Sequence, residues 1–190
     1  MKALFIVADG FEDMEYTCPR DILRRGGVEV VTASGRIDTT DDAPILGREG
    51  IAVNDHVILS MQDLSTFDIL VIPGGGHYKI LEANEDVIST IYAFNNNKKK
   101  IAAICAAPTI LGHMGLLIGK HYTCFPSMNE DFHGIFSPEY TQVDGNLITG
   151  NGPAAAMRFG FDILENLQGK EVADKVKSQM YYKDYARYLI

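Results

Sequence analysis

The 190-residue chain contains only three cysteines, few basic residues and no long apolar segment. Cys18, Cys105 and Cys124 have neither CxxC nor zinc-ribbon spacing, which argues against a disulfide framework and against a structural metal site. No window is long and apolar enough to span a bilayer, and the apolar run 3–8 ends at Asp9-Gly10 without the small-residue cleavage site of a signal peptide. We therefore expect a cytoplasmic protein that does not insert into a membrane.

Basic charge is scarce as well. The chain has 17 Lys and Arg residues against 25 Asp and Glu residues, which gives a formal net charge of -8 and a pI near 5.0. The only basic run, Lys98-Lys99-Lys100, precedes a predicted strand and is typical of a solvated turn. These charges argue against a nucleic acid or an anionic membrane as the main partner.

Strand and helix patterns alternate along the whole chain, with no internal repeat and no linker. Strands are predicted at 3–8, 28–33, 68–72 and 101–104, with a hairpin at 140–149. Helices are predicted at 12–25, 85–94, 109–117, 154–167 and 171–180, and a polar surface excursion with a hairpin at 34–50. Repeated βα units of this kind predict one α/β domain over residues 1–190, a doubly wound parallel sheet with helices on both faces.

Cys105 lies at a predicted strand-to-helix junction. The apolar run 101–104 precedes it, and Pro108 begins the helical pattern that follows. A thiol near a helix N-terminus meets free N–H groups and a dipole that favour the thiolate, and the small Ala103 and Ala107 permit a sharp elbow. A lone cysteine is otherwise a buried structural residue, and position alone leaves both interpretations open.

Two further segments are expected beside Cys105, because the carboxyl ends of parallel strands meet at one edge of the sheet. Glu15, early in the first helix, is a candidate carboxyl partner that donates a hydrogen bond to the thiolate or relays a substrate proton. The alternative is that it only complements the positive start of the helix. Gly74 and Gly75, together with the N–H of Ala106, are candidate oxyanion donors; the alternative is a tight turn that needs positive φ.

The remaining candidates are the histidines and the other two cysteines. None of the five histidines has metal-ligand spacing, and the chain has no Walker or dinucleotide pattern, so we expect neither a metal nor a cofactor. His77 directly follows the glycine turn and is the histidine best placed to approach the thiol. Cys18 follows Glu15 by one helical turn and is interpreted as a core thiol near the site. Cys124 is either a structural residue or a resolving thiol.

Four ordered motifs resemble the ThiJ/PfpI family. They are DGFEDME at 9–15, DILRRGG at 21–27, VIPGG at 71–75 and AAICAAPT at 102–109, and the resemblance continues through GNGP at 150–153 and GKEV at 169–172. The most similar branch contains the Parkinson's-disease-associated protein deglycase and bacterial YajL-like proteins. The resemblance implies a flavodoxin-like three-layer sandwich that assembles as a homodimer. It also implies roles for the matching residues: a nucleophile and redox-sensitive centre at Cys105, its carboxyl partner at Glu15, and backbone donors at Gly74, Gly75 and Ala106.

Two departures from the family pattern narrow the expected activity. Protease-like members place a histidine directly after the nucleophile, whereas this chain has Ala106, which argues against peptidase activity. Some deglycase-branch members have a histidine in the segment that matches 123–126, where this chain has Cys124-Phe125, so Glu15 is left as the main acid/base candidate. The metal ligands of the chaperone-like branch are not matched either.

These residues lead to several hypotheses of function. The first is a cofactor-free cysteine enzyme that acts on methylglyoxal-like dicarbonyls, or on their protein adducts, through a Cys105 thiolate and a Glu15 proton relay. The second is a redox sensor whose Cys105 oxidises to the sulfinate. The third is a holdase-type chaperone that uses aromatic residues in 122–136 and 181–188. An amidase is a further alternative, although no triad histidine is evident.

Overall fold

Apolar β-strands occupy the centre of the computed structural model, which describes residues 1–38 and 43–183. The strands are β1 (Lys2–Val7), β2 (Glu29–Ser34), β3 (Ile45–Leu46), β4 (Ala52–Val53), β5 (Val57–Ile58), β6 (Ile69–Ile72), β7 (Lys100–Ile104), β8 (His121–Tyr122), β9 (Ile135–Phe136), β10 (Thr141–Asp144) and β11 (Leu147–Gly150). The helices are α1 (Asp13–Arg25), α2 (Tyr78–Ala83), α3 (Glu85–Asn96), α4 (Pro108–His113), α5 (Ala156–Gln168) and α6 (Lys170–Gln179).

Seven strands form the main sheet in the order β10-β11-β7-β6-β1-β2-β5. All neighbouring pairs are parallel except β10 and β11, which form the antiparallel hairpin predicted around Asp144-Gly145. The sequence order of the central strands reverses between β1 and β6, and α/β sheets bind ligands at such a switch point. The carboxyl ends of β1, β6 and β7 therefore lie side by side, as predicted.

Each face of the sheet has its own buried cluster, because successive side chains of a strand point to opposite faces. Ala3, Phe5 and Val7 of β1 pack in one cluster with apolar residues of α1, α5 and α6. Leu4 and Ile6 pack in the other cluster, with α2, α3 and α4. This arrangement confirms the predicted three-layer, flavodoxin-like α/β sandwich.

Most predicted elements agree with the structure within two or three residues, but one helix ends earlier than predicted and four short elements (α2, β5, β8 and β9) were not predicted. The predicted helix 109–117 ends at His113, because Gly115 adopts φ +75° and the chain turns back there. The prediction also missed α2, a helix of six residues directly after the glycine turn. The hairpin expected in the 34–50 excursion is β3–β4 and reaches Val53; residues 39–42 of that excursion lie outside the described residues.

The segments proposed for a chaperone surface contain both buried and exposed aromatic residues where the structure describes them. Tyr122 and Phe132 are 2% and 5% exposed. Exposed aromatic side chains include Phe125 and Tyr181. Residues 184–188 of the second segment lie outside the described residues.

Candidate active site

Cys105 occupies a strained turn between β7 and α4. Its φ is +63°, a left-handed conformation that is unusual for a residue with a side chain. Two backbone hydrogen bonds hold it there: Cys105 N–H donates to Gly150 O at 2.9 Å, and Phe125 N–H donates to Cys105 O at 2.9 Å. Ala106 and Ala107 after it are buried. The strain is therefore imposed by the surrounding backbone and presents the thiol as a nucleophile elbow does.

Glu15 points inward from the first turn of α1, and its side chain is fully buried. Its Oε2 accepts a hydrogen bond from Gly74 N–H at 2.8 Å. Its Oε1 is buried and makes no regular hydrogen bond to any described residue. The sequence alone allowed Glu15 either to face Cys105 or only to complement the start of the helix. In the structure its carboxyl lies against the glycine turn beside Cys105.

The glycine turn after β6 lies directly against Cys105 and Glu15. A Cβ at Gly74 would approach Cys105 Cβ and Glu15 Oε2 to 2.6 Å, so no side chain fits there. The backbone N–H of Gly74 is already used by Glu15, which corrects the expectation that it serves as an oxyanion donor. The N–H groups of Gly75, at φ +100°, and of Ala106 lower the pKa of the Cys105 thiol. Gly75 and Ala106 therefore stay the candidate backbone donors of the site.

The thiol and the carboxyl control each other's ionisation. The pKa of Glu15 is raised from 4.5 to about 7: burial is the largest cause and the nearby Glu12 charge adds to the rise, whereas the Cys105 thiol and the Gly74 N–H oppose it. Burial also raises the pKa of the Cys105 thiol, and the Glu15 carboxylate adds to this rise. The N–H groups of Ala106 and Gly75 act in the opposite direction.

These shifts define a coupled pair. Because the charge of one group disfavours the charge of the other, the pair loses its first proton near the Glu15 pKa of about 7 and its second at much higher pH. The pair thus passes around pH 7 from the uncharged form to a form with one negative charge and one shared proton. The thiolate expected from the start of α4 is opposed by burial, and α4 has only six residues to supply a dipole.

His77 is fully buried and is bound by backbone on both sides. Ala8 N–H donates to Nδ1 at 3.0 Å, which places the ring proton on Nε2, and Nε2 donates to Pro73 O at 2.9 Å. Burial lowers the pKa of His77 to about 4. The expectation of a histidine that approaches the thiol is corrected: His77 stays neutral, and it joins the end of β1 to the glycine turn.

The other two cysteines differ from Cys105 in their surroundings. Cys124 is buried in the cluster on the α2–α4 face, whereas Cys105 packs against the cluster on the α1 face. Burial raises the pKa of Cys124 to about 11. Cys18 is half-buried on α1, and burial raises its pKa as well. The packing of Cys124 favours its structural role over that of a resolving thiol.

An ion pair between Arg36 and Asp9 beside the site, which we call the clamp, was not predicted from the sequence. Arg36 pairs with both carboxylate oxygens of Asp9, at 2.7 and 2.9 Å, and also donates to Ala43 O and Pro44 O. Asp9 in turn accepts from Leu46 N–H at 2.9 Å. The clamp therefore fixes the start of the β3–β4 hairpin to the carboxyl end of β1. Opposite charges that follow two neighbouring parallel strands, as Asp9 and Arg36 do, were the signal available in the sequence.

The β3–β4 hairpin closes over the segment that leads into α1. Gly10 N–H donates to Leu46 O and Arg48 N–H donates to Phe11 O, both at 2.8 Å. Asp13 accepts from Glu49 N–H at 3.0 Å. These hydrogen bonds hold the segment before Glu15 against the β3–β4 hairpin. Among the residues that the structure describes, no group of three His, Cys, Asp or Glu side chains is arranged to hold a metal ion.

No helix within residues 1–38 and 43–183 is long and apolar enough to cross a membrane.

Comparisons with known proteins extend these observations. The model of the DJ-1/PfpI family matches residues 1–166. The Parkinson disease protein 7 homolog of Danio rerio is 32% identical and aligns over 96% of this chain and 98% of its own length. Deglycase PH1704 of Pyrococcus horikoshii is 32% identical over 81% of this chain and 92% of its own. The crystal structure of Drosophila melanogaster DJ-1beta superposes with a TM-score of 0.86 at 32% identity, covering 96% of this chain and 98% of that one.

Proposed function

The chain belongs to the DJ-1/PfpI family, and within it we propose a cofactor-independent cysteine enzyme of the deglycase or glyoxalase type. The substrate class is a small 1,2-dicarbonyl such as methylglyoxal, or the early adduct of one with a protein. The observation that carries this proposal is the buried Glu15, whose pKa is about 7, coupled to the strained Cys105. The deglycase name of the Pyrococcus relative supports the same chemistry.

The reaction begins at the aldehyde carbon. Cys105 sulfur forms a bond to this carbon while the thiol proton passes to the Glu15 carboxylate. Glu15 then gives this proton to the aldehyde oxygen, which yields the hemithioacetal and restores the carboxylate. The N–H groups of Gly75 and Ala106, which lower the pKa of the Cys105 thiol, stabilise the negative charge that develops on the oxygen. Glu15 suits the proton transfer because a group with a pKa near the working pH is both an acceptor and a donor.

Glu15 then moves a proton between the two carbons. It removes the proton from the carbon bonded to sulfur, which leaves an enediolate, and returns a proton to the neighbouring carbon. The result is a thioester of the 2-hydroxy acid: one carbon is oxidised and its neighbour is reduced, so no external oxidant or reductant is needed. Water hydrolyses the thioester, releases the 2-hydroxy acid and restores the Cys105 thiol.

Multiple-turnover conversion of methylglyoxal to lactate tests this proposal. We expect many turnovers per protein, complete loss in Cys105→Ser, and at least about a hundredfold loss in Glu15→Gln, in line with general acid–base contributions. Cys124→Ser is the matched control, because that thiol is buried on the other face of the sheet. Turnover that persists without Cys105, or a single stoichiometric modification, would overturn the proposal.

A redox-sensing role is the second candidate, and the unpartnered Glu15 Oε1 favours it. A protonated Glu15 can donate from this oxygen to an oxygen of a Cys105 sulfinate, which forms when the thiolate reduces two equivalents of peroxide to water. The structure of oxidized Toxoplasma gondii DJ-1 is similar to this chain at 29% identity. Intact mass after graded peroxide decides: two oxygens gained at Cys105 alone support this role, and equal oxidation at Cys18 contradicts it.

We also propose a homodimer that acts in the cytoplasm. Met14 on α1 and Leu46 on the docked hairpin are 48% and 53% exposed, and a second copy is a suitable cover for such apolar side chains. Light scattering of the purified protein should give twice the 20.9 kDa chain mass. A monomer at all concentrations would contradict the assembly.

A further inference from the structure

Three hydrogen bonds form a closed circuit around the Glu15 carboxyl. Glu12 N–H donates to Gly74 O at 2.9 Å, Gly74 N–H donates to Glu15 Oε2 at 2.8 Å, and Glu15 N–H donates to Glu12 Oε2 at 2.8 Å. Each of the three residues is thus both a donor and an acceptor. The circuit joins the start of α1 to the turn beside Cys105.

Glu12 has two functions in this circuit. It is the N-cap of α1, where its carboxylate satisfies a free N–H group of the first turn. Serine, threonine, aspartate and asparagine are the usual residues at such a position, and a shorter neutral side chain would cap the helix equally well. A glutamate there instead places a second negative charge one helical turn from Glu15.

We propose that Glu12 is a positioning residue that holds the Glu15 carboxyl against Cys105 and whose charge sets the pH at which Cys105 becomes reactive. The inference deepens the proposed function but does not need it, because the reactivity of Cys105 is measurable without turnover. The Glu12 charge also raises the pKa of Glu15, which agrees with the geometry. Removing that charge therefore makes the first ionisation of the Glu15–Cys105 pair easier.

Other charged groups around the circuit are few in the part of the chain that the structure describes. The hairpin carries Arg48 and Glu49, which are ion-paired to each other at 3.2 Å and about two-thirds exposed. α5, which packs along α1, carries Arg158 paired with Asp162 at 2.8 Å. The titratable groups on and beside the start of α1 also include Asp9 and Arg36, which pair with each other, and Asp13, Tyr16, Cys18 and His77. None of these groups contributes to the shift of the Glu15 pKa, to which Glu12 and Cys105 are the side chains that contribute.

The experiment measures the rate of Cys105 alkylation by iodoacetamide between pH 5 and 9 in a background that lacks Cys18 and Cys124. Glu12→Gln and Glu12→Ser remove the charge, and Glu12→Ser keeps a good N-cap. We expect both to move the inflection of the profile to lower pH by about half a unit or more, the effect of a unit charge one helical turn away at high dielectric. Glu12→Asp keeps both the charge and the cap, and we expect it to keep the profile.

Glu85→Gln is the matched control, because it removes an exposed acidic residue from the first turn of α3, away from the site. An unchanged or alkaline-shifted profile in Glu12→Ser would overturn the proposal. A purely structural Glu12 would lower the unfolding midpoint in Glu12→Gln and leave the inflection where it is. If turnover of dicarbonyls is absent while the alkylation profile shifts, the proposed function fails and this inference stands.

Discussion

Glu15→Gln should make the protein more stable at alkaline pH while removing its proposed activity. Glu15 is fully buried and its pKa is raised from 4.5 to about 7. Between these values the folded protein keeps a proton that the unfolded chain has lost. The free energy of unfolding therefore falls as pH rises through this window, and it stays low above pH 7. A glutamine avoids this loss and still accepts the hydrogen bond from Gly74 N–H.

The size of the effect follows from the two pKa values. Each unit of difference corresponds to roughly 1.4 kcal/mol, so Glu15 should cost the folded protein about 1 kcal/mol at pH 5 and about 3 kcal/mol at pH 8. The stability of Glu15→Gln relative to the parent should hence improve by about 2 kcal/mol from pH 5 to pH 8.

Urea unfolding of both proteins at pH 5, 6, 7 and 8 under reducing conditions measures this difference. Glu85→Gln is again the control, since Glu85 is exposed and its difference from the parent should not change over this range. Parallel stability curves for the parent and Glu15→Gln would refute the raised pKa of Glu15. A difference that shrinks toward pH 8 would refute the sign of the argument.

Three further predictions concern the supports of the site. Gly74→Ala should lose several kcal/mol of stability in thermal unfolding, because its Cβ would lie 2.6 Å from Cys105 Cβ. Gly76→Ala is the control: its Cβ meets no atom within 4 Å, and its stability should stay within about 0.5 kcal/mol of the parent. His77→Gln should cost about 2 kcal/mol at pH 7 through two buried hydrogen bonds. Between pH 6.5 and about 4 the unfolded chain binds a proton at residue 77 whereas folded His77 stays neutral, so the free energy of unfolding of the parent falls as the pH falls. This pH-dependent loss should be absent from His77→Gln. Arg36→Ala should release the β3–β4 hairpin and speed its cleavage in limited proteolysis, and cleavage at the parent's rate would contradict the clamp.

The sheet could be predicted because its strands are short, continuous apolar runs between glycine-rich turns. Ala3, Leu4, Phe5, Ile6 and Val7 are all fully buried, as a parallel strand covered on both faces requires. The order of the parallel strands then places Cys105, Glu15 and the glycine turn at one edge without any knowledge of side-chain packing. The topology of the candidate site thus follows from the sequence.

The roles within the site could not be predicted, because they depend on which atom each backbone N–H group faces. Gly74 and Gly75 are equivalent in sequence, yet the N–H of Gly74 binds the Glu15 carboxylate and that of Gly75 lowers the pKa of the Cys105 thiol. His77 follows the turn at the expected place, but its ring turns to the backbone of Ala8 and Pro73. Hydrogen bonds between residues distant in sequence decide such cases, and no local pattern records them.

The dependence of kcat/KM on pH for methylglyoxal tests the coupled Glu15–Cys105 pair most directly. We predict that lactate formation by the parent protein shows an inflection near pH 7, the pKa of Glu15, and that this inflection is absent from the residual rate of Glu15→Gln. A profile that is the same in both proteins, or a rate that does not depend on Cys105, would contradict the account.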